Sequence, residues 1–169
     1  MDETEQARSL IIARRYKDAA ALLDRLLFAD GKNDALWYLR GVASLRMKNY
    51  DAALECFERA LLFDRKSAYH QIKGMAHFEL FEIELAIEAF NDALAMEPKN
   101  PTTHFFLGLC YLFLDDPRSE ASMKKALELD PKKTRQLFLN FYTFFIKDDP
   151  QVSPAMKRKM EERIKALGA

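Results

Sequence analysis

The sequence predicts an all-α fold, and three observations carry that expectation. Ala and Leu supply 22 and 23 of the 169 residues, while Val and Thr supply 2 and 5. That balance favours helix and leaves little material for a sheet. Gly and Pro together number only 11, so helices are seldom interrupted. A set of positions also recurs every 33–34 residues along most of the chain, the mark of a repeat architecture.

The same composition narrows the function classes. Hydrophobic residues make up 49% and charged residues 31%, enough apolar material for a core and too much for a disordered chain. The length is that of about one domain. Lys and Arg number 26, as do Asp and Glu, so no general charge drives the chain toward nucleic acid. No apolar run approaches 18 residues without a charge, so no membrane span is expected. The acidic start Met1-Asp2-Glu3-Thr4-Glu5 predicts a chain without a secretory leader. Cys56 and Cys110 do not suggest a disulfide framework; a reducing compartment, and with it a cytoplasmic location, is expected.

Taken in order, the recurring positions are these. Tyr16-x2-Ala19-x3-Leu23-x2-Leu26 comes first. Trp37-x2-Arg40-Gly41-x2-Ser44 follows, then Tyr50-x2-Ala53-x3-Phe57-x2-Ala60. Gly74-x2-His77 precedes Ile83-x2-Ala86-x3-Phe90-x2-Ala93 and Pro98. Leu107-Gly108-x2-Tyr111 precedes Met123-x2-Ala126 and Pro131. Gly41, Gly74 and Gly108 fall mid-helix, where Gly costs about 1 kcal/mol relative to Ala. Their recurrence predicts close approach of a neighbouring helix, with Phe57 and Phe90 filling the space between. Lys48-Asn49 is expected to break one helix, and Pro98 and Pro131 to stop others.

This pattern resembles the tetratricopeptide repeat family, whose units read W-x2-L-G-x2-Y, then A-x3-F, then P. The resemblance implies an all-α, right-handed α-solenoid of antiparallel helix pairs, a superhelix closed by C-terminal capping helices. Its units would span 1–33 (a degenerate N-terminal unit), 34–66, 67–100 and 101–133. The first lacks the Trp and Gly, with Ala7 in the Gly place. The second has Arg40 for Leu and Arg65 for Pro. In the fourth, Asp115-Asp116-Pro117 predicts a shortened turn and a shifted second helix.

Beyond the repeats, residues 134–147 read as an aromatic-rich helix. Leu137, Phe138, Phe141, Tyr142, Phe144 and Phe145 cover most of its circumference, so something must cover them. Ser153-Pro154 then opens an amphipathic capping helix over 153–167. Met156, Met160, Ile164 and Leu167 form its apolar stripe. A polar end of this kind suits a helical array.

The family's first helices line a groove that holds a peptide or a partner's helix. Carried onto this chain, the groove positions include Tyr38, Leu39, Val42, Leu45 and Arg46 of the second unit. The third offers Gln71, Ile72, Met75, Phe78 and Glu79. The fourth offers Phe105, Phe106, Leu109, Leu112 and Phe113, with Phe138 and Tyr142 after it. Helix periodicity supports the last set independently, since Phe105, Leu109, Leu112 and Phe113 share one face at i, i+4, i+7 and i+8. The partner-binding candidates are therefore Tyr38, Val42, Met75, Phe78, Phe105, Phe106, Leu109, Leu112, Phe113, Phe138 and Tyr142. The family's best-known groove is a clamp for chaperone C-terminal carboxylates, built on Lys and Asn. Here those places hold Tyr38, Val42, Gln71, Met75, Phe105 and Leu109, which do not suit that ligand.

The expected function is a non-enzymatic protein–protein interaction module or scaffold that binds an apolar or amphipathic peptide segment of a partner in its concave groove. The same side chains could instead pack on the chain's own C-terminal helices. The alternative is a self-assembling, homodimeric scaffold or small chaperone that uses the Phe-rich C-terminal helices. No catalytic residue set, cofactor motif or metal-ligand spacing is recognisable. His70 and His77 stand seven residues apart, which suits packing better than metal binding. Cys56 and Cys110 read as small core residues. Lys124-Lys125, Lys132-Lys133 and Lys157-Arg158-Lys159 read as solvated faces.

Overall fold

Helix boundaries in this chain are written by the same local chemistry, repeat after repeat. The computed structural model describes residues 2–166, without the side chains at 156, 159, 163, 164 and 166. Among them ten α-helices form and no strand. They divide into two compact units, 1–97 and 98–169.

The first unit holds α1 (Glu3–Ile12), α2 (Tyr16–Ala29), α3 (Asp34–Arg46), α4 (Tyr50–Phe63), α5 (Ser67–Glu79) and α6 (Ile83–Met96). The second holds α7 (Pro101–Phe113), α8 (Arg118–Leu129), α9 (Pro131–Phe141) and α10 (Pro154–Ala166). A π-helical turn, Tyr142–Ile146, prolongs α9.

Asparagine side chains cap two of the repeat helices. Asn33 Oδ1 accepts from Leu36 N at 3.2 Å, and Asn100 Oδ1 from Thr103 N at 3.1 Å. Each satisfies one backbone donor that the first turn leaves without a partner. The first helix of every pair ends alike. Lys48 N bonds Leu45 O and Asn49 N bonds Ser44 O; Phe81 and Glu82 repeat this, as do Arg14 with Arg15 and Asp115 with Asp116. The turn needs one left-handed residue. It falls on Arg14, Lys48, Phe81 and Asp115, with φ of 59°, 60°, 63° and 53°. Four side-chain-bearing residues thus hold a conformation that glycine adopts without cost.

The core follows the repeat. Phe57 and Phe90 are fully buried, as are Ala53, Ala60 and Ala86. A Cβ on Gly74 would stand 2.7 Å from Phe90 Cε1, and one on Gly41 would meet the Phe57 ring in the same way. In the second unit Met123 takes the phenylalanine's place, 3.0 Å from where a Gly108 Cβ would lie. The recurring glycines therefore face the large side chain of their own pair's second helix.

Polar contacts recur as well. Trp37 Nε1 donates to Gly31 O at 2.9 Å, and His104 Nε2 bonds Pro98 O at 2.9 Å, each six residues back. Arg40 pairs with Asp24 of the preceding helix at 2.6 Å and donates to Ser44 Oγ at 2.5 Å. Lys73, one repeat on, pairs with Glu58 at 3.2 Å. The departures at Arg40 and Ser44 compensate each other: the guanidinium covers a hydroxyl that is fully buried where the family has a ring. His77, at the next such place, is buried and bonds Glu82 Oε2 at 2.6 Å. Tyr111, at the last, lies under the Arg118 guanidinium at 4.2 Å.

Three expectations differ from what is observed. The joint between α7 and α8 spans four residues, 114–117, against three at 47–49 and 80–82, so it is not shortened. The shift lies in α8, which starts late and has 12 residues where α4 and α6 have 14. Pro131 does not merely stop α8; it is the first residue of α9. Asp130 caps the end of α8 and also the start of α9, where its Oδ1 accepts from Lys133 N at 2.8 Å. The helix expected from 134 thus begins three residues earlier, since proline's fixed φ and missing N–H suit a first turn. It ends as an α-helix at Phe141 rather than 147. Of the C-terminal stripe, Met156 and Ile164 are among the side chains not described, and Leu167 lies outside the described residues.

Candidate functional site

The candidate binding positions sit on α3 and α5 in the first unit, and on α7, α9 and the π-helical turn in the second. Each unit's set differs in what already covers it.

In the first unit, Tyr38 and Val42 lie one turn apart on α3, with Arg46 a further turn on. Tyr38 is half-buried; its ring stacks on Tyr69 at 4.9 Å and tilts against Phe57 at 6.3 Å. Burial pushes its hydroxyl pKa up, and Arg8 and Arg46 pull against that. Val42 and Ile72 are half-buried against the cluster of Leu45, Ala53, Phe57 and Ala76. Met75 is half-buried on α5 and Phe78 is buried. At the rim, Arg46 and Glu79 are exposed, and Tyr50 donates to Glu79 Oε2 at 3.1 Å. The result is an apolar strip, partly open, with charges at one end.

Lys66 and Tyr69 fix the start of α5 to α3. Lys66 Nζ lies 2.5 Å from Asp34 Oδ2, and the Tyr69 hydroxyl donates to the same oxygen. These donors hold the Asp34 carboxyl below its usual pKa, and burial with the Asp34 bond pushes Tyr69 up to about 12. Sequence reading overlooks this network. Its one trace is the spacing of Asp34 and Lys66, near one repeat length.

In the second unit the predicted row is split. Phe105 is 1% exposed and Leu109 2%. Phe138 comes from α9 to meet Phe105 edge-on, with ring centroids 4.8 Å apart; Phe106 does so at 5.4 Å. Tyr142 is buried, and its hydroxyl donates to Glu161 Oε1 of α10 at 2.7 Å. That bond to a carboxylate raises the Tyr142 pKa. The chain's own α9 thus covers the start of the row, with α10 behind it on Tyr142. Leu112, by contrast, is 60% exposed and Phe113 44%.

Other chemistry is sparse. Burial pushes the thiols of Cys56 and Cys110 up to about 11 and about 12, away from reactive thiolate. A small cavity between α5 and α6 is lined by His70, Lys73, His77, Glu88 and Asp92. Burial lowers the His70 pKa, against the pull of Asp92. Among the described residues no three His, Cys, Asp or Glu stand where they could hold one metal ion. No helix among them is long and apolar enough to cross a membrane.

Comparison with known proteins bears on the whole arrangement. No curated protein sequence matches the chain. Among solved structures, that of MamA is 18% identical with a TM-score of 0.73, covering 99% of this chain and 93% of that one. TTC0263, a thermophilic TPR protein of Thermus thermophilus, is 19% identical with a TM-score of 0.69, covering 98% of this chain and 97% of the other. The second TPR domain of human RPAP3, solved with the HSP70 peptide SGPTIEEVD, is 26% identical with a TM-score of 0.61, covering 64% of this chain and 91% of that one. Tetratricopeptide repeat profiles match residues 10–76 and 73–133. With the glycine-on-phenylalanine packing and the recurring turn, these matches show that the chain belongs to the tetratricopeptide repeat family.

Proposed function

We propose that this protein is a non-enzymatic interaction module that holds an apolar or amphipathic segment of a partner protein. The carrying observation is the partly open apolar strip of Tyr38, Val42 and Met75 on α3 and α5, at the positions where the family takes its guests. Half-buried apolar side chains on the first helices of two neighbouring pairs give a guest contact area without loss of the host's own order. The peptide held by the RPAP3 domain supports a peptide as the class of guest. That peptide's acidic C-terminus is not matched by the side chains here, which favour apolar contact.

The test places a photo-crosslinking amino acid at Val42 or Met75, with Leu62 as an exposed control on α4. Crosslinks from the first two are expected to converge on one partner segment with apolar residues at helical spacing. Val42→Glu with Met75→Glu should abolish capture while the helical circular dichroism persists. Equal capture from Leu62, or capture that survives the double substitution, rejects the reading.

A further inference from the structure

The strip on α3 and α5 continues onto α1, and its charges are not evenly spread. α3 touches both α1 and α5. Ala7 lies in α1 where Gly41 lies in α3 and Gly74 in α5, so Arg8 stands in the row of Val42 and Met75. One turn on, the next row reads Ile12, Arg46 and Glu79.

Two polar groups in this strip lack partners. Tyr38 is half-buried with its ring stacked on Tyr69, yet its hydroxyl makes no hydrogen bond among the described residues. A buried tyrosine hydroxyl ordinarily finds one. Arg46 is exposed, on the face of α3 that carries Tyr38 and Val42, and has no ion pair among the described residues. Side chains on a helix lean toward its start, which carries the guanidinium back over Val42 toward Tyr38. Arg8 and Arg46 are the cations whose charge reaches that hydroxyl. Every other Asp, Glu, Lys and Arg of α1, α3 and α5 has a partner, with Arg8 on Glu5 at 3.3 Å and Glu79 on Tyr50 at 3.1 Å among them.

The joints grade the field. Around those that follow α1 and α3 stand Arg14, Lys17 and Lys48 against Asp51, with Arg15 and Asp18 tied to each other. Around the joint that follows α5 stand Glu79 and Glu84, with Glu82 tied to His77. The strip thus runs from base at α1 and α3 to acid at α5. Ile12, 82% exposed, lies beyond the arginines, and Val42 and Met75 lie before them. Apolar contact is therefore offered on both sides of the cationic spot, which suits an acid within a segment rather than at its end.

We propose that the guest is an amphipathic helical segment of a partner protein with an internal acidic side chain, received by Arg46 and the Tyr38 hydroxyl beside Arg8. Both groups donate to the guest carboxylate, while its apolar neighbours cover Val42 and Met75. The proposal rests on the interaction-module reading above and adds the charge and direction of the guest.

Three end-capped peptides of about 18 residues, long enough to hold a helix, serve as probes. Each has leucines at helical spacing and one glutamate, glutamine or lysine beside the first of them. Fluorescence anisotropy on the full chain should show the glutamate peptide binding about fivefold tighter than the glutamine peptide, as a charge-assisted contact at a half-exposed site gives. The lysine peptide should bind weakest. The preference should shrink as salt rises from about 50 to about 300 mM. Arg46→Gln should remove most of it while the glutamine peptide binds as before. Arg46→Glu should turn it toward the lysine peptide, which a purely structural role for Arg46 would not do. Tyr38→Phe should lower it about twofold. Arg59→Gln, which removes an exposed cation on α4, should leave it unchanged. Equal binding of the glutamate and glutamine peptides, lost in Val42→Glu, overturns the proposal and keeps the apolar reading. Binding of no peptide overturns both. A glutamine peptide with a free C-terminal carboxylate that matches the glutamate peptide overturns the internal acid in favour of a chain end.

Discussion

Phe138 meets the face of Phe105 edge-on at 4.8 Å, and that contact divides the aromatic row of α7 into a covered half and an open half. Phe138→Ala should remove the cover. The side chain is half-buried, so the expected loss is about 2–3 kcal/mol, below that of a fully buried phenylalanine. Urea unfolding measures it. Dye binding to newly exposed apolar surface should rise in the folded variant, and unchanged dye binding would show that Phe105 is covered by something else.

Gly74→Ala tests the close approach of α5 and α6. The new methyl group would collide with the ring of Phe90, which is 0% exposed and has no room to retreat. A loss of about 1–3 kcal/mol is expected. A neutral result in thermal unfolding would mean that the two helices can spread apart.

Lys48→Gly should act in the opposite direction. Lys48 is exposed with φ of 60°, a conformation strained for any residue with a Cβ. The substitution is expected to stabilise by about 0.5–1 kcal/mol, after the greater freedom of glycine in the unfolded chain is counted. A raised urea midpoint with an unchanged slope is the expected signature.

His70 should make stability depend on pH. It is buried between Asp92 of α6 and the cations Arg65 and Lys73, and burial lowers its pKa below the ordinary value. The unfolded chain then binds the proton more readily than the folded one. Its contribution is complete above the ordinary histidine value, about 6.5, and is lost as pH falls from there toward the lowered folded value. His70→Phe should flatten the stability curve between about pH 7 and that value. An equal slope in both proteins would place the dependence elsewhere.

Cys56 and Cys110 should resist modification. Both are buried, with thiol pKa values pushed to about 11 and about 12. A thiol-reactive chromogen at pH 8 should label neither within minutes in the native chain, and both in denaturant. Rapid native labelling would indicate local opening of α4 or α7.

The repeat is legible in the sequence because Gly41, Gly74 and Gly108 each stand opposite a large side chain that is also periodic. The end of α9 is not. Its apolar residues cover most of the circumference, so periodicity cannot mark where the winding loosens from α to π at Tyr142. Pro131 misleads because proline ends one helix and begins another with equal ease, and the single residue Asp130 leaves no loop composition between them. The covered half of the row is ambiguous for a related reason. Phe105 and Phe138 are each apolar positions on their own helices, and only their meeting shows that one covers the other.

The ion pairs of the first unit have the same polarity at each step: acid on the earlier repeat and base on the later, Asp24 with Arg40 and Glu58 with Lys73. Each junction is therefore interchangeable with the next. Removal of the 33-residue block 34–66 would bring Asp24 opposite Lys73, still an acid facing a base, and would join Asn33 directly to Ser67 at the head of a helix. An inverted or half-block excision would set like charges or mismatched faces together. The chain thus carries its own rule for how it can grow or shrink: by whole repeats, in one direction.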